Sequence, residues 1–189
     1  MPGMINSPAL MAVDENTLRQ PHPVGDGYGQ LVQAIRPLPV KGSTVTVRVT
    51  VPGVVGGAYA ANDQVGSTFA IPGAVRTPGG GGRVSCVQLL ETTTQQIAAD
   101  VVFLSEGVTA SADNAAASIS DANMADKYLG FVKITDYISV AAGAVGRTID
   151  GFDFNCADNE TAIYGQLITR GAPTYGAGGL TLLVTIIQD

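Results

Sequence analysis

An all-β body, a β-sandwich or jelly-roll-like domain with one short helix and an extended N-terminal arm, is the fold class this sequence predicts. Three observations predict it. First, Ser43 to Val51, STVTVRVTV, sets Val45, Val47, Val49 and Val51 against Thr44, Thr46, Arg48 and Thr50, the period-two alternation of a half-buried strand. Second, short apolar runs rich in β-branched residues follow one another to the C-terminus, separated by turn formers, as in sandwiches and jelly rolls. Third, 46% of the 189 residues are hydrophobic and 14% charged, with 24 Gly, 10 Pro and no Trp, a profile too apolar for disorder and suited to many tight turns. A chain of this length accommodates one core, so residues 43–189 are read as the body and residues 1–42 as the arm.

The arm has no sustained period of 2 or 3.6. Pro2, Pro8, Pro21, Pro23, Pro37 and Pro39 each fix φ and remove an amide donor, which favours extended chain. Met4, Ile5, Leu10, Met11, Val13, Leu18, Leu31, Val32 and Ile35 are too many apolar residues for a solvated linker, so the arm is expected to lie along its own domain or a neighbouring subunit. Together with Arg19 and Arg36 they are the candidate contact residues. Leu31 to Ile35 fits a short helical turn stopped by Pro37.

In the body, Ser43–Val51 ends at Pro52-Gly53, and burial of its four valines would contribute roughly 6 to 10 kcal/mol before chain entropy. Gln64–Ile71 is a second strand, entered from the turn pair Asn62-Asp63 and closed by Pro72-Gly73. A flexible loop, Arg76–Gly82, leads to the apolar segments Val84–Leu90 and Ile97–Leu104, which flank Thr92-Thr93-Thr94-Gln95 and read as a hairpin at the centre of the sheet. Apolar residues on both parities of Val84–Leu90 suggest cover on both faces. Glu106–Gly130 breaks the β rhythm; Ser120 offers an N-cap for a helix over Asp121–Tyr128, stopped by Gly130. Strands resume at Phe131–Ile134, Tyr137–Val140, Gly151–Phe154, Thr161–Thr169 and Leu180–Gln188, the last two joined as a hairpin.

Composition limits function. Residues 1–83 hold six basic and four acidic residues, net +2, and residues 84–189 four and twelve, net −8. An acidic chain repels phosphate backbones, so nucleic acid is excluded as a partner. The longest apolar run, Leu180 to Ile187, is far short of a membrane span, and no basic region precedes an apolar core as in a cleaved secretory signal. Cys86 and Cys156 read as reduced, buried small hydrophobes, with a disulfide open only if their strands are neighbours.

No constellation reads as catalytic, and no cofactor is implied. Gly79–Gly82 lacks the Lys-Ser/Thr of a phosphate loop and opens a strand. His22, the only histidine, lies between two prolines. Asp150, Asp153, Asn155, Asp158 and Glu160 have the oxygen density of a calcium loop but lack the glycine and flanking helices of an EF-hand. Asp153 and Asp158 as a glycosidase pair would need an aromatic-lined cleft. A carbohydrate- or receptor-binding sandwich is a further reading, and would show Tyr137, Phe152, Phe154, Tyr164 and Tyr175 clustered on one exposed face.

From Tyr59 to Asp189, about two thirds of the sequence, the chain resembles the decoration or cement proteins of tailed-bacteriophage capsids. The likeness rests on Tyr59-Ala60 with Asp63 and Gly66 entering a strand, the segment from Val84 with its Gln95/Gln96 turn, and Asp113-Asn114-Ala115-Ala116. It extends to Ser118-Ile119-Ser120-Asp121-Ala122, Ile163-Tyr164 and the closing Gln188-Asp189. The resemblance implies a non-enzymatic virion protein, made in the host cytoplasm, that sits as a homotrimer on the capsid exterior and clamps neighbouring major capsid protein subunits. The arm lies outside the part that carries the resemblance.

Overall fold

Thirteen elements build the body, and the computed structural model describes residues 42–189. Strands β1 (Ser43–Thr50), β2 (Gly57–Ala58), β3 (Gln64–Ile71), β4 (Gly81–Glu91) and β5 (Ala99–Leu104) precede helix α1 (Asp121–Lys127). After it come β6 (Tyr128–Ile134), β7 (Asp136–Val140), β8 (Gly143–Thr148), β9 (Phe152–Asn155), β10 (Ile163–Thr169), β11 (Thr174–Tyr175) and β12 (Leu180–Gln188). A six-stranded sheet runs β1-β12-β4-β8-β7, with β9 also on β4, and a four-stranded sheet runs β3-β10-β5-β6; β11 and β2 make a two-stranded ribbon. The protein is an all-β, sandwich-like fold with a single short helix among the described residues.

One core joins the two large sheets. The six-stranded sheet contributes Val84, Val87, Leu89, Leu182, Val184 and Ile186, and the four-stranded sheet Phe69, Val101, Phe103, Val132, Ile163 and Leu167. Phe103 and Phe152 bridge the layers as a tilted pair, 5.2 Å between centroids. In β1 only the alternation survives from the expected burial. Val51, beyond its end, is buried, but Val45, Val47 and Val49 are half-buried because β1 is the sheet's edge, so the strand contributes less than four buried valines would.

Two expected hairpins are not hairpins. β4 pairs with β12, β8 and β9, while β5 pairs with β10 and β6, so residues 92–98 cross from one sheet to the other. β10 and β12 likewise belong to different sheets. A polar loop between apolar strands has the same sequence pattern whether it turns within a sheet or arches between two. The two-parity pattern of β4 also has another cause. Its register against β12 shifts between Val84 and Cys86, leaving Ser85 as the extra residue of a bulge, so Val84, Val87 and Leu89 all reach the core while Cys86, Gln88 and Leu90 stay half-exposed. The glycine run is only partly loop. Gly81 and Gly82 open β4, and a Cβ on Gly82 would lie 3.1 Å from the Phe154 ring.

Helix α1 starts as expected, with Ser120 accepting from the Asn123 amide at 3.3 Å, but it is ended by the extended Tyr128 that begins β6, and not by Gly130. Residues 105–120 form a strap. It passes over Tyr164 at Gly107, accepts from the Thr68 hydroxyl at Val108 (2.7 Å), and pairs with the start of β3 through Gln64 N–H to the Ala115 carbonyl (2.8 Å). Gln64 and Gln166 are fully buried on this side, with Gln166 donating to Thr68 at 3.0 Å.

Candidate functional site

The candidate contact residues Met4, Ile5, Leu10, Met11, Val13, Leu18, Arg19, Leu31, Val32, Ile35 and Arg36, and likewise His22, lie outside the described residues. The acidic cluster does not converge. Asp153 is exposed on β9 and pairs with Arg83 at 2.9 Å, Asp158 and Asn155 are exposed, and among the described residues no three His, Cys, Asp or Glu side chains come together as a metal group. Asp153 lines a hollow of about 260 Å³ with Arg83, Asn155 and Asp189, and Asp158 is not among its lining residues, so the two expected carboxylates do not share it. Cys86 and Cys156 are both free; burial, then the Glu160 carboxylate, pushes the Cys156 thiol up to about 11, which leaves it protonated and non-nucleophilic at neutral pH. Nor do the five aromatics of the carbohydrate-binding alternative share an exposed face: Phe154 and Tyr175 are buried and Tyr137, Phe152 and Tyr164 half-buried.

Some of the residues on which the resemblance rests do meet. Asp113, on the strap, accepts from the Tyr59 hydroxyl (2.8 Å), the Gly66 amide (2.6 Å) and the Val55 amide (3.1 Å). Beside it Asp63 accepts from the Ala60 amide at 2.7 Å, the Asn114 amide donates to the Gln64 carbonyl at 2.9 Å, and Asp63 bridges Ala116. Three chain segments are thus tied by one carboxylate. Gly66 has φ +68°, and a Cβ there would stand 2.4 Å from the Pro52 carbonyl, so the close approach needs glycine. Burial, and then the hydrogen bond to Asp113, holds the Tyr59 hydroxyl well above the ordinary phenol range.

A second buried polar group closes the arch after β4. Glu91 is 5% exposed and accepts from the Gln96 amide at 2.8 Å, in an arch that Gln96 ties to Ser139 and Gln95 ties to the Thr174 amide at 3.0 Å. Burial is the chief cause raising the Glu91 carboxyl above the usual range, with the Gln96 and Gln95 amides pulling the other way. A carboxyl whose folded pKa is raised is favoured when protonated, so its penalty is absent below the unfolded value and grows as pH rises through the folded one. Glu91→Gln is therefore expected to raise stability at pH 7 by about 1 kcal/mol and to leave it unchanged near pH 4, checked by urea unfolding at both pH values.

Tyr137 and Tyr175 are likewise raised, chiefly by burial. With Tyr59 they favour the neutral phenol in the folded state, so the stability they contribute is complete below the unfolded value of about 10 and is lost as pH rises beyond it. Absorbance at 295 nm during alkaline titration is expected to show these three of the six tyrosines ionising only together with loss of β circular dichroism.

The outer face of the six-stranded sheet carries a cross-strand row, Thr50, Thr181, Leu90, Val145 and Ile138, set by register from edge to edge. Next to it runs Arg48, Leu183, Gln88, Arg147 and Asp136. Ile138 is 64% and Val140 51% exposed. No protein-family model and no curated protein matches this chain. The face carries threonine and aliphatic side chains beside the charged Arg48, Arg147 and Asp136, a mixture suited to contact with another protein. Sequence reading missed it because β8, Gly143–Thr148, is built of small residues and was not recognised as a strand; the signal that could have found it is the period-two run Tyr137-Ile138-Ser139-Val140 ending at the turn after Val140.

Proposed function

We propose that this chain is a structural virion protein that binds the outside of a bacteriophage capsid as a homotrimer and cements neighbouring major capsid protein subunits. The observation that carries the reading is the convergence on Asp113. Tyr59, Ala60, Asp63, Gly66 and the Asp113–Ala116 segment, scattered in sequence, brace one strap against β3, so residues on which the resemblance rests help to hold the body together. The open sheet face supports it as well, because a cement protein works through buried area, of order 1,200 Å² or more per contact, and needs no reaction centre. The arm, residues 1–42, crosses a subunit boundary and adds apolar contact area with few residues.

Empty shells assembled from bacteriophage major capsid protein test the proposal. The full chain is expected to co-sediment with them to a saturating ratio, and a chain starting at Ser43 to bind at least about tenfold more weakly. Undiminished binding of the truncated chain would refute the arm's role, and no binding of the full chain would refute the reading.

A further inference from the structure

The edge of a β-sheet carries a row of unpaired amides and carbonyls, and folded proteins usually disarm it. The strap does so at the start of β3, where the Asn114 amide donates to the Gln64 carbonyl and the Gln64 amide to the Ala115 carbonyl. A bulge interrupts β6, since Phe103 pairs with Gly130 but Leu104 with Tyr128, and β7 has only five residues. β1 has none of these devices. It is eight residues long, contains no proline or glycine, and pairs with β12 without a register shift; among the described residues no strand lies on its other side.

The direction of the bonds along β1 follows from its end. The Val51 amide donates to the Leu180 carbonyl at 3.0 Å, one step beyond the pair Thr50 and Thr181. Antiparallel ladders alternate, so Val49, Val47 and Val45 also bond to β12, while Thr44, Thr46, Arg48 and Thr50 turn their amides and carbonyls to the open side. The side chains divide the same way. Val45, Val47 and Val49 are half-buried against the core, and the other four are exposed on the outer face. A row of backbone groups at this spacing is matched in full only by another strand.

The order of the side chains says which strand. Read outward from Val47, β1 is close to a palindrome: Thr46 and Arg48 flank it, then Val45 and Val49, then Thr44 and Thr50. A second copy laid antiparallel about a two-fold axis at Val47 sets Val47 on Val47, Val45 on Val49, Thr44 on Thr50 and Thr46 on Arg48. Each valine then meets a valine, and the outward-turned residues meet one another in a ladder of about eight bonds. Arg48 faces a threonine. Moving the axis to Arg48 would bring two guanidiniums face to face, and moving it to Thr46 would leave Val49 opposite Ser43.

We infer that β1 is a pairing edge for β1 of a second copy of this chain, the two joined antiparallel about Val47 into one continuous sheet. The contact is two-fold and so goes beyond the homotrimer proposed above: on a shell it would tie a copy in one trimer to a copy in the next, and it holds or fails in the isolated protein whatever the outcome with capsids. Contacts as small as one strand pair are transient, which calls for trapping. Single cysteines in the full chain, carrying Cys86→Ser and keeping the buried Cys156, test it by oxidation with diamide and denaturing electrophoresis. Val47→Cys faces its own counterpart at a pair without ladder bonds, where Cβ atoms are closest, and is expected to give a covalent dimer. Val45→Cys and Val49→Cys, each about 13 Å from its own counterpart in this register, are expected to stay monomeric singly and to cross-link when mixed. Thr46→Pro removes an amide on the open side and leaves the bonds to β12; added to Val47→Cys it should cut the dimer yield about tenfold with the β circular dichroism retained, and Thr44→Pro serves if it fails to fold. No dimer from Val47→Cys, as when the arm or another protein holds this edge, would overturn the inference. So would a yield from Val45→Cys alone equal to that from Val47→Cys, or a yield that proline leaves unchanged.

Discussion

Asp113→Ala is expected to lower the unfolding free energy by about 4 kcal/mol, since a carboxylate that accepts three bonds is lost and two amides and a phenol lose their partner. The effect is local in origin but wide in reach. Freed at Asp113, the strap keeps its pairing at Ala115 and Thr68 but loses the tie to Tyr59 and to the chain before β2, so amide exchange should rise first at Gly66, Asn114 and Ala117. Asp113→Asn keeps the shape and one acceptor oxygen and should cost roughly half as much. Chemical denaturation of the three proteins decides this. A loss below about 1 kcal/mol for alanine would mean that the carboxylate is not what holds the strap.

Gly66→Ala is the second large effect, at about 3 kcal/mol, and its cause is different. The residue has φ +68°, which costs an L side chain on the order of 1 kcal/mol, and its new Cβ would press on the Pro52 carbonyl at 2.4 Å and the Val51 side chain at 2.8 Å. Because the Gly66 amide also donates to Asp113, displacement of this backbone breaks the bond that the first substitution removes. The double variant should therefore be less destabilised than the sum of the two, by on the order of 1 kcal/mol, and strict additivity would show that the two positions act separately.

Much of the fold was legible because local pattern and burial agree. β1 is half-buried on alternate residues, β3 spans Gln64–Ile71 as its turn residues indicated, and Ser120 caps α1. Legibility ended where a tertiary choice had no local signature. Nothing in Thr92-Thr93-Thr94-Gln95 says whether the chain turns back along β4 or crosses to the other sheet, and the bulge at Ser85 made a one-faced strand look two-faced. Glu91 was passed over because a single acid at the end of an apolar run reads as the strand's exit; its burial depends on the arch folding back over it. Asp113 was noted only as part of a motif, since its partners Val55, Tyr59 and Gly66 lie 47 or more residues away.

The proposal as a whole is that the molecule works by holding other proteins together. Cryo-electron microscopy of shells mixed with the full chain tests that most directly. Ordered three-fold density on the outer surface, straddling boundaries between major capsid subunits, is the predicted result. Bare shells at saturating protein would contradict it.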